Sequence, residues 1–166
     1  MIAALQRGTV EAIASYIRMT DVPCTDAQGS GGPPQCGAYG STKDPSRPPP
    51  PPPGTIVPAF PVSSCDAGWL NDPALIASSL VPRIDRLVAV VRLTKPIAID
   101  PDRLRPSHGL IVGTEQPQVA ALLFIDGGHI TGVKWTCGEP ALSLLRPPTS
   151  DFYGAPEVLL QGPAWP

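Results

Sequence analysis

The chain has 166 residues, 42% of them hydrophobic, and a formal net charge of −2 from 12 Lys+Arg against 14 Asp+Glu. These numbers fit one domain with a modest core, and the near-balanced charge argues against nucleic acid as a partner, since such binders carry a clustered basic excess. Less ordinary are 24 Pro and 16 Gly, about a quarter of the chain and close to the range where irregular segments are expected. The longest apolar runs, Val119 to Ile125 and Leu87 to Val91, fall far short of the roughly 20 residues that a membrane-spanning helix needs.

In chain order, residues 1–23 read as helix in two pieces. Ile2, Leu5 and Ala3 form a first apolar stripe that Gly8 interrupts. Thr9 is an N-cap candidate with Glu11 in the first turn, where the helix dipole favours an acid. Val10, Ile13, Ala14 and Ile17 then recur at helical spacing, and Asp21 to Pro23 ends the helix. Residues 24–54 form a Gly/Pro-rich insert. Its six consecutive prolines, Pro48 to Pro53, admit only polyproline II geometry, read as a stiff exposed spacer more than as a ligand for an aromatic groove.

Residues 55–146 carry the foldable α+β core. Thr55 to Phe60 reads as an edge strand, because Pro58 lacks a backbone donor. Asp72 before Pro73 starts a helix with Leu75, Ile76 and Leu80 as its buried stripe, closed by Pro82. Ile84 to Leu93 and Leu110 to Thr114 are strand candidates. Val119 to Ile125 and His129 to Cys137 flank Asp126-Gly127-Gly128, the strongest hairpin signal in the chain. With those three residues as the loop, Val119 faces Trp135 and Ala121 faces Val133. That register gathers Val119, Ala121, Leu123, Ile125, Val133 and Trp135 on one face, with Leu122, Phe124 and Ile130 on the other. Residues 147–166 read as an irregular Pro-rich tail.

The four cysteines allow three pairings. Cys24 and Cys36 bracket a polar, turn-rich loop with no core of its own, where a covalent tie is worth about 3 kcal/mol. The favoured connectivity is Cys24–Cys36 and Cys65–Cys137, with four unconnected thiols as the alternative. Disulfides imply an extracytoplasmic location, secreted or in the cell envelope, although the first 20 residues show no signal-peptide pattern. The thiol alternative implies the cytoplasm. No CxxC occurs, and His108 and His129 do not fall at finger-like spacing, so no metal is expected.

The segment Ala4-Leu5-Gln6-Arg7-Gly8-Thr9-Val10-Glu11-Ala12-Ile13 resembles the opening of NTF2-like, SnoaL-type domains of the cystatin-like α+β class. The resemblance implies N-terminal helices packed on a curved antiparallel sheet, with a cone-shaped pocket on the concave face. Such domains include isomerases, hydrolases, dehydratases, ligand binders and interaction modules, so fold alone assigns no function. The insert at 24–54 departs from that pattern.

Enzymes of this class place an acid or histidine in the apolar cone, its pKa raised by dry surroundings. The candidates here are His129, on the hairpin face with Val133 and Trp135, and Asp85, at a strand start. His108 reads as a surface residue. Ser63, Ser64 and Cys65 have no His or acid near them in sequence, and no phosphate loop, dinucleotide fingerprint, nucleophile elbow or calcium loop occurs. No cofactor is expected. The reading is therefore a non-catalytic binding or interaction module, whose partner is an apolar small molecule held on Val119, Ala121, Leu123, Val133 and Trp135, or another protein, with room for a homodimer. The alternative is a small enzyme acting on an apolar molecule.

Overall fold

A computed structural model describes residues 1–27, 32–63, 67–95, 106–114, 120–147 and 154–161. Three short helices precede or interrupt the strands: α1 (Ile2–Arg7), α2 (Val10–Ala14) and α3 (Pro73–Leu80). The strands are β1 (Thr20–Pro23), β2 (Ile56–Ser63), β3 (Ala67–Leu70), β4 (Arg86–Arg92), β5 (His108–Gly113), β6 (Ala120–Asp126), β7 (His129–Trp135) and β8 (Glu157–Gln161). They form one eight-stranded sheet in the order β1-β2-β7-β6-β5-β4-β8, with β3 also paired to β2. The architecture is α+β, with a mixed, open sheet.

Local chemistry accounts for the helix ends. Gly8 takes φ +62° and closes α1 with its N–H on the Ala4 and Leu5 carbonyls, a left-handed position that glycine fills without steric cost. Thr9 caps α2 by accepting from the Ala12 N–H. Asp72 accepts from the N–H groups of Ala74 and Leu75 with Pro73 behind it. Helix α2 nevertheless stops at Ala14, so Ile17 is not a helical residue. Its backbone instead forms a parallel bridge to Ile130, and Asp21 to Pro23, expected to end a helix, belongs to the strand Thr20–Pro23, paired with Val57 and its neighbours on β2.

The sheet is covered on both faces. On one, Leu5, Ile13, Ile76, Ala77 and Leu80 of the helices pack with Phe60 against Leu110, Val112, Ala121, Leu123, Ile125, Ile130 and Val133. Leu75 lies outside that stripe and is exposed; Ala77 takes the inward position. On the other face Ala89, Val91, Ile111, Leu122 and Phe124 are closed over by Ala141 and Leu144 of a 3-10 turn, Ala141–Leu145. Two buried faces explain why the central strand β6 reads as a continuous apolar run instead of an alternating one.

Strand β2 runs beyond the expected segment Thr55 to Phe60, and only the residues past it are paired on both sides. Its first half pairs with β1, its second half with β3, and Val62 and Ser63 run parallel to Val133 and Lys134 of β7. That parallel contact also makes the sheet mixed where an antiparallel one was expected. Gly132 permits the approach: a side chain there would crowd Pro61 at 3.1 Å and Phe124 at 3.3 Å. At the far edge, β8 forms where the sequence indicated only an irregular tail, pairing antiparallel with β4.

The Gly/Pro-rich insert is anchored rather than free. Cys24 and Cys36 are disulfide-bonded, with Cα atoms 5.0 Å apart. They form a third small core with Val57 and the partly buried Tyr39. Tyr39 Oη donates to the Pro58 carbonyl at 2.9 Å, Asn71 Nδ2 to the Ala38 carbonyl at 2.9 Å, and Trp69 Nε1 to the Gly32 carbonyl. The polyproline run is docked here too. The Ser41 N–H donates to the Pro48 carbonyl, and a side chain on Gly40 would collide with the Pro49–Pro50 backbone.

Candidate functional site

The β6–β7 hairpin was the expected ligand wall. Up to Phe124 its register is two residues from the expected one, with Ala121 facing Trp135 and Leu123 facing Val133; at the turn Asp126 faces His129, one residue off. The loop is the two-residue Gly127-Gly128 turn, at φ +55° and +80°, the left-handed pair that a tight hairpin requires. A shift of two keeps each side chain on its own face, so Ala121, Leu123, Ile125, Val133 and Trp135 do share a side. A bulge between Phe124 and Ile125 then moves Ile130 onto that side, where it was not expected. By alternation along the strand, His129 leaves it.

That face is filled. Ala121 and Leu123 are fully buried and Val133 is 1% exposed, beneath the helices. Trp135 is half-buried at the rim, with the Arg83 guanidinium 4.9 Å from its ring centre, a cation–π contact. Val119 lies outside the described residues. The buried polar side chains among those described are Ser63 and Thr131. The Thr131 hydroxyl donates to the Phe124 carbonyl at 3.3 Å.

The two catalytic candidates lie at opposite ends of the sheet. Asp85 is exposed, and its N–H donates to the Gly113 carbonyl, one residue before Arg86 pairs with Gly113 and Gly113 with Ala120. His129 pairs with Asp126 at the other end of β6. Six strand residues, roughly 20 Å at about 3.3 Å per residue, separate them. They cannot act on one substrate atom. Around His129 the surface is polar and open: Asp126 is ion-paired to Arg18, both about two-fifths exposed. His108 is exposed, its Nδ1 2.8 Å from Ser107 Oγ. No group of metal-ligating side chains occurs among the described residues.

The disulfide cluster is the best-defined polar–apolar unit. The Thr25 N–H donates to the Pro34 carbonyl and the Cys36 N–H to the Thr25 carbonyl, so a short ladder flanks the bond. Burial holds the Tyr39 phenol above its ordinary ionisation range. The other expected pair, Cys65–Cys137, involves Cys65, which lies outside the described residues.

Of the strands absent from the sequence reading, β8 is the one with an open edge. Each of its five residues is exposed, including Val158 at 46%, Leu159 at 41% and Leu160 at 55%. It ends the strand order, so among the described residues nothing pairs with its outer edge. Three apolar residues in a row between Glu157 and Gln161, in a tail otherwise rich in proline, were the available signal. They do not alternate, so no strand period marked them. Helices long and apolar enough to cross a membrane do not occur among the described residues. No protein-family model, no curated protein and no solved structure matches this chain.

Proposed function

We propose that the protein is a non-catalytic interaction module that works outside the cytoplasm. The observation that carries this reading is the apolar filling beneath the helices. Ala121, Leu123 and Val133, which would line a pocket, are in van der Waals contact with helix and strand side chains instead. On the same reading, the helix-covered face corresponds to the concave face of an NTF2-like cone whose interior is occupied by its own residues. Catalysis would need a buried acid or histidine there, and the two candidates are remote from it and from each other. The disulfide-tied loop supports the location, because such a bond persists in an oxidising compartment.

Isotope-labelled protein titrated with the apolar probe anilinonaphthalene sulfonate tests the reading. The amides of Ala121, Leu123 and Val133 and the Trp135 indole should keep their chemical shifts, with any change confined to the surface. Shifts centred on those residues would mean a pocket opens under the helices, and the small-enzyme alternative would then hold the stronger position.

A further inference from the structure

We infer that two copies of the chain associate edge to edge through β8, antiparallel about a two-fold axis at Leu159. The inference rests on the interaction-module reading and names its partner. An isologous contact requires a self-complementary surface, and Glu157-Val158-Leu159-Leu160-Gln161 is one: polar ends around three apolar residues. Antiparallel pairing centred on Leu159 engages all five residues. It sets Val158 against Leu160 of the second copy, and Leu159 against its own equivalent. Glu157 then lies beside Gln161, whereas a parallel arrangement in register would set two Glu157 carboxylates side by side. Like charges directly opposite destabilise a strand pair, and the exposed Arg92 partner of each Glu157 offsets this only in part, so charge favours the antiparallel form.

The register with β4 sets the local geometry of that edge. Val90 faces Leu160 and Val91 faces Val158, which leaves Leu159 as the extra residue with no opposite number on β4. The bulge interrupts the inner ladder at the residue on which the two-fold axis is placed, so the outer pairing has to follow a locally kinked strand. An unpaired, apolar edge is a template for strand addition. A five-residue pair buries less than the roughly 1,200 Å² at the low end of stable interfaces, so the dimer should be weak and concentration-dependent.

Sedimentation equilibrium from about 10 µM to about 1 mM, a span that brackets weak association, reads the outcome. The wild-type chain should self-associate, and Leu159→Lys should weaken association at least about tenfold by opposing two ammonium groups. Its circular dichroism should stay unchanged, because Leu159 is exposed. Leu159→Cys should cross-link to its own equivalent under mild oxidation, and Leu160→Cys, which faces Val158, should not. A wild-type chain that is monomeric throughout, or a Leu159→Lys chain that associates like wild type, overturns the inference. Neither result touches the interaction-module reading, which stands or falls on the probe shifts at Ala121, Leu123 and Val133.

Discussion

Replacing both bridged cysteines by alanine, Cys24→Ala with Cys36→Ala, isolates what the covalent tie contributes. The residues lie 12 positions apart, and closing a loop of that length restricts the unfolded chain by about 3 kcal/mol in the chain-entropy account. Both side chains are buried, Cys36 completely, so removing two sulfurs also strips contacts from Val57 and Tyr39. A total near 3–4 kcal/mol follows. For a chain of this size that lowers Tm by about 6–16 °C. Urea denaturation should be followed by far-ultraviolet circular dichroism for the whole sheet and, in a Trp135→Phe, Trp165→Phe background, by the fluorescence of Trp69, whose indole N–H is bonded to Gly32 in the tied loop. The two probes should move together, because the Cys24 N–H donates to the Thr55 carbonyl and the Gly54 N–H to the Cys24 carbonyl, joining the loop to the start of β2. A loss below about 1 kcal/mol, or a Trp69 transition well before the sheet melts, would show that the loop opens alone and that the tie does not secure the sheet.

Trp135→Ala should cost about 2–3 kcal/mol in urea denaturation, less than a fully buried aromatic because the indole is only partly buried, at the rim beside Arg83; a loss below about 1 kcal/mol would remove it from the core. Replacing Pro48 to Pro53 with a Gly/Ser hexapeptide should leave a cooperative melt but lower stability by roughly 2–6 kcal/mol, at about 0.4–1 kcal/mol per proline. An unchanged midpoint would show the run to be a free spacer despite its seat against Gly40. Tyr39→Phe removes the hydrogen bond to the Pro58 carbonyl and should cost about 0.5–1.5 kcal/mol near neutral pH. Because burial raises the Tyr39 ionisation, the unfolded chain loses this proton first. The neutral phenol therefore supports the fold below the ordinary tyrosine range, and that support is lost as pH rises through the folded-state value. Wild type should lose stability in alkali more steeply than Tyr39→Phe, and parallel alkaline curves would count against the burial argument.

Signals that act within a few residues were legible in the sequence. Thr9 and Asp72 cap the helices they were expected to cap, Gly127-Gly128 makes the hairpin, and Cys24 pairs with Cys36. What failed was set at a distance. Strand β1 exists because Thr20–Pro23 meets Ile56–Ala59, more than thirty residues on, and nothing local distinguishes it from a helix end. Pro58 was a sound argument against a strand paired on both sides, and among the described residues Ile56–Ala59 pairs with β1 alone; β2 has two neighbours only at Val62 and Ser63, where β3 and β7 both meet it. The bulges on β4 and at the hairpin end shift which residues face the helices, and a period-2 reading carries every residue after such a bulge to the wrong side. The candidate ligand wall suffered less, because an error of two residues preserves the face.

The two ends of the sheet are treated differently, and this asymmetry bears on where the molecule can associate. At the β1 end, Pro23 closes the strand and the chain passes at once into Cys24 and the Thr25–Gln35 bridge, so the edge is followed by a covalently tied, proline-lined loop. Prolines, short strands and covering loops are the usual means by which a sheet edge avoids pairing with another chain. At the β8 end the protection is the single-residue bulge at Leu159 and the exposed Arg92–Glu157 ion pair, with both side chains more than half exposed; such a pair contributes little, and no proline or loop covers the strand among the described residues. Beside it stand Val158, Leu159 and Leu160, the largest run of exposed apolar side chains among the described residues. An edge of this kind either has a partner or favours aggregation as concentration rises. Reversible dimerisation at β8 and irreversible association from the same strand therefore share a cause, and Leu159→Lys should suppress both. If that substitution left precipitation at high concentration unchanged, the sticky surface would have to lie elsewhere, and the contrast between the two edges would lose its meaning.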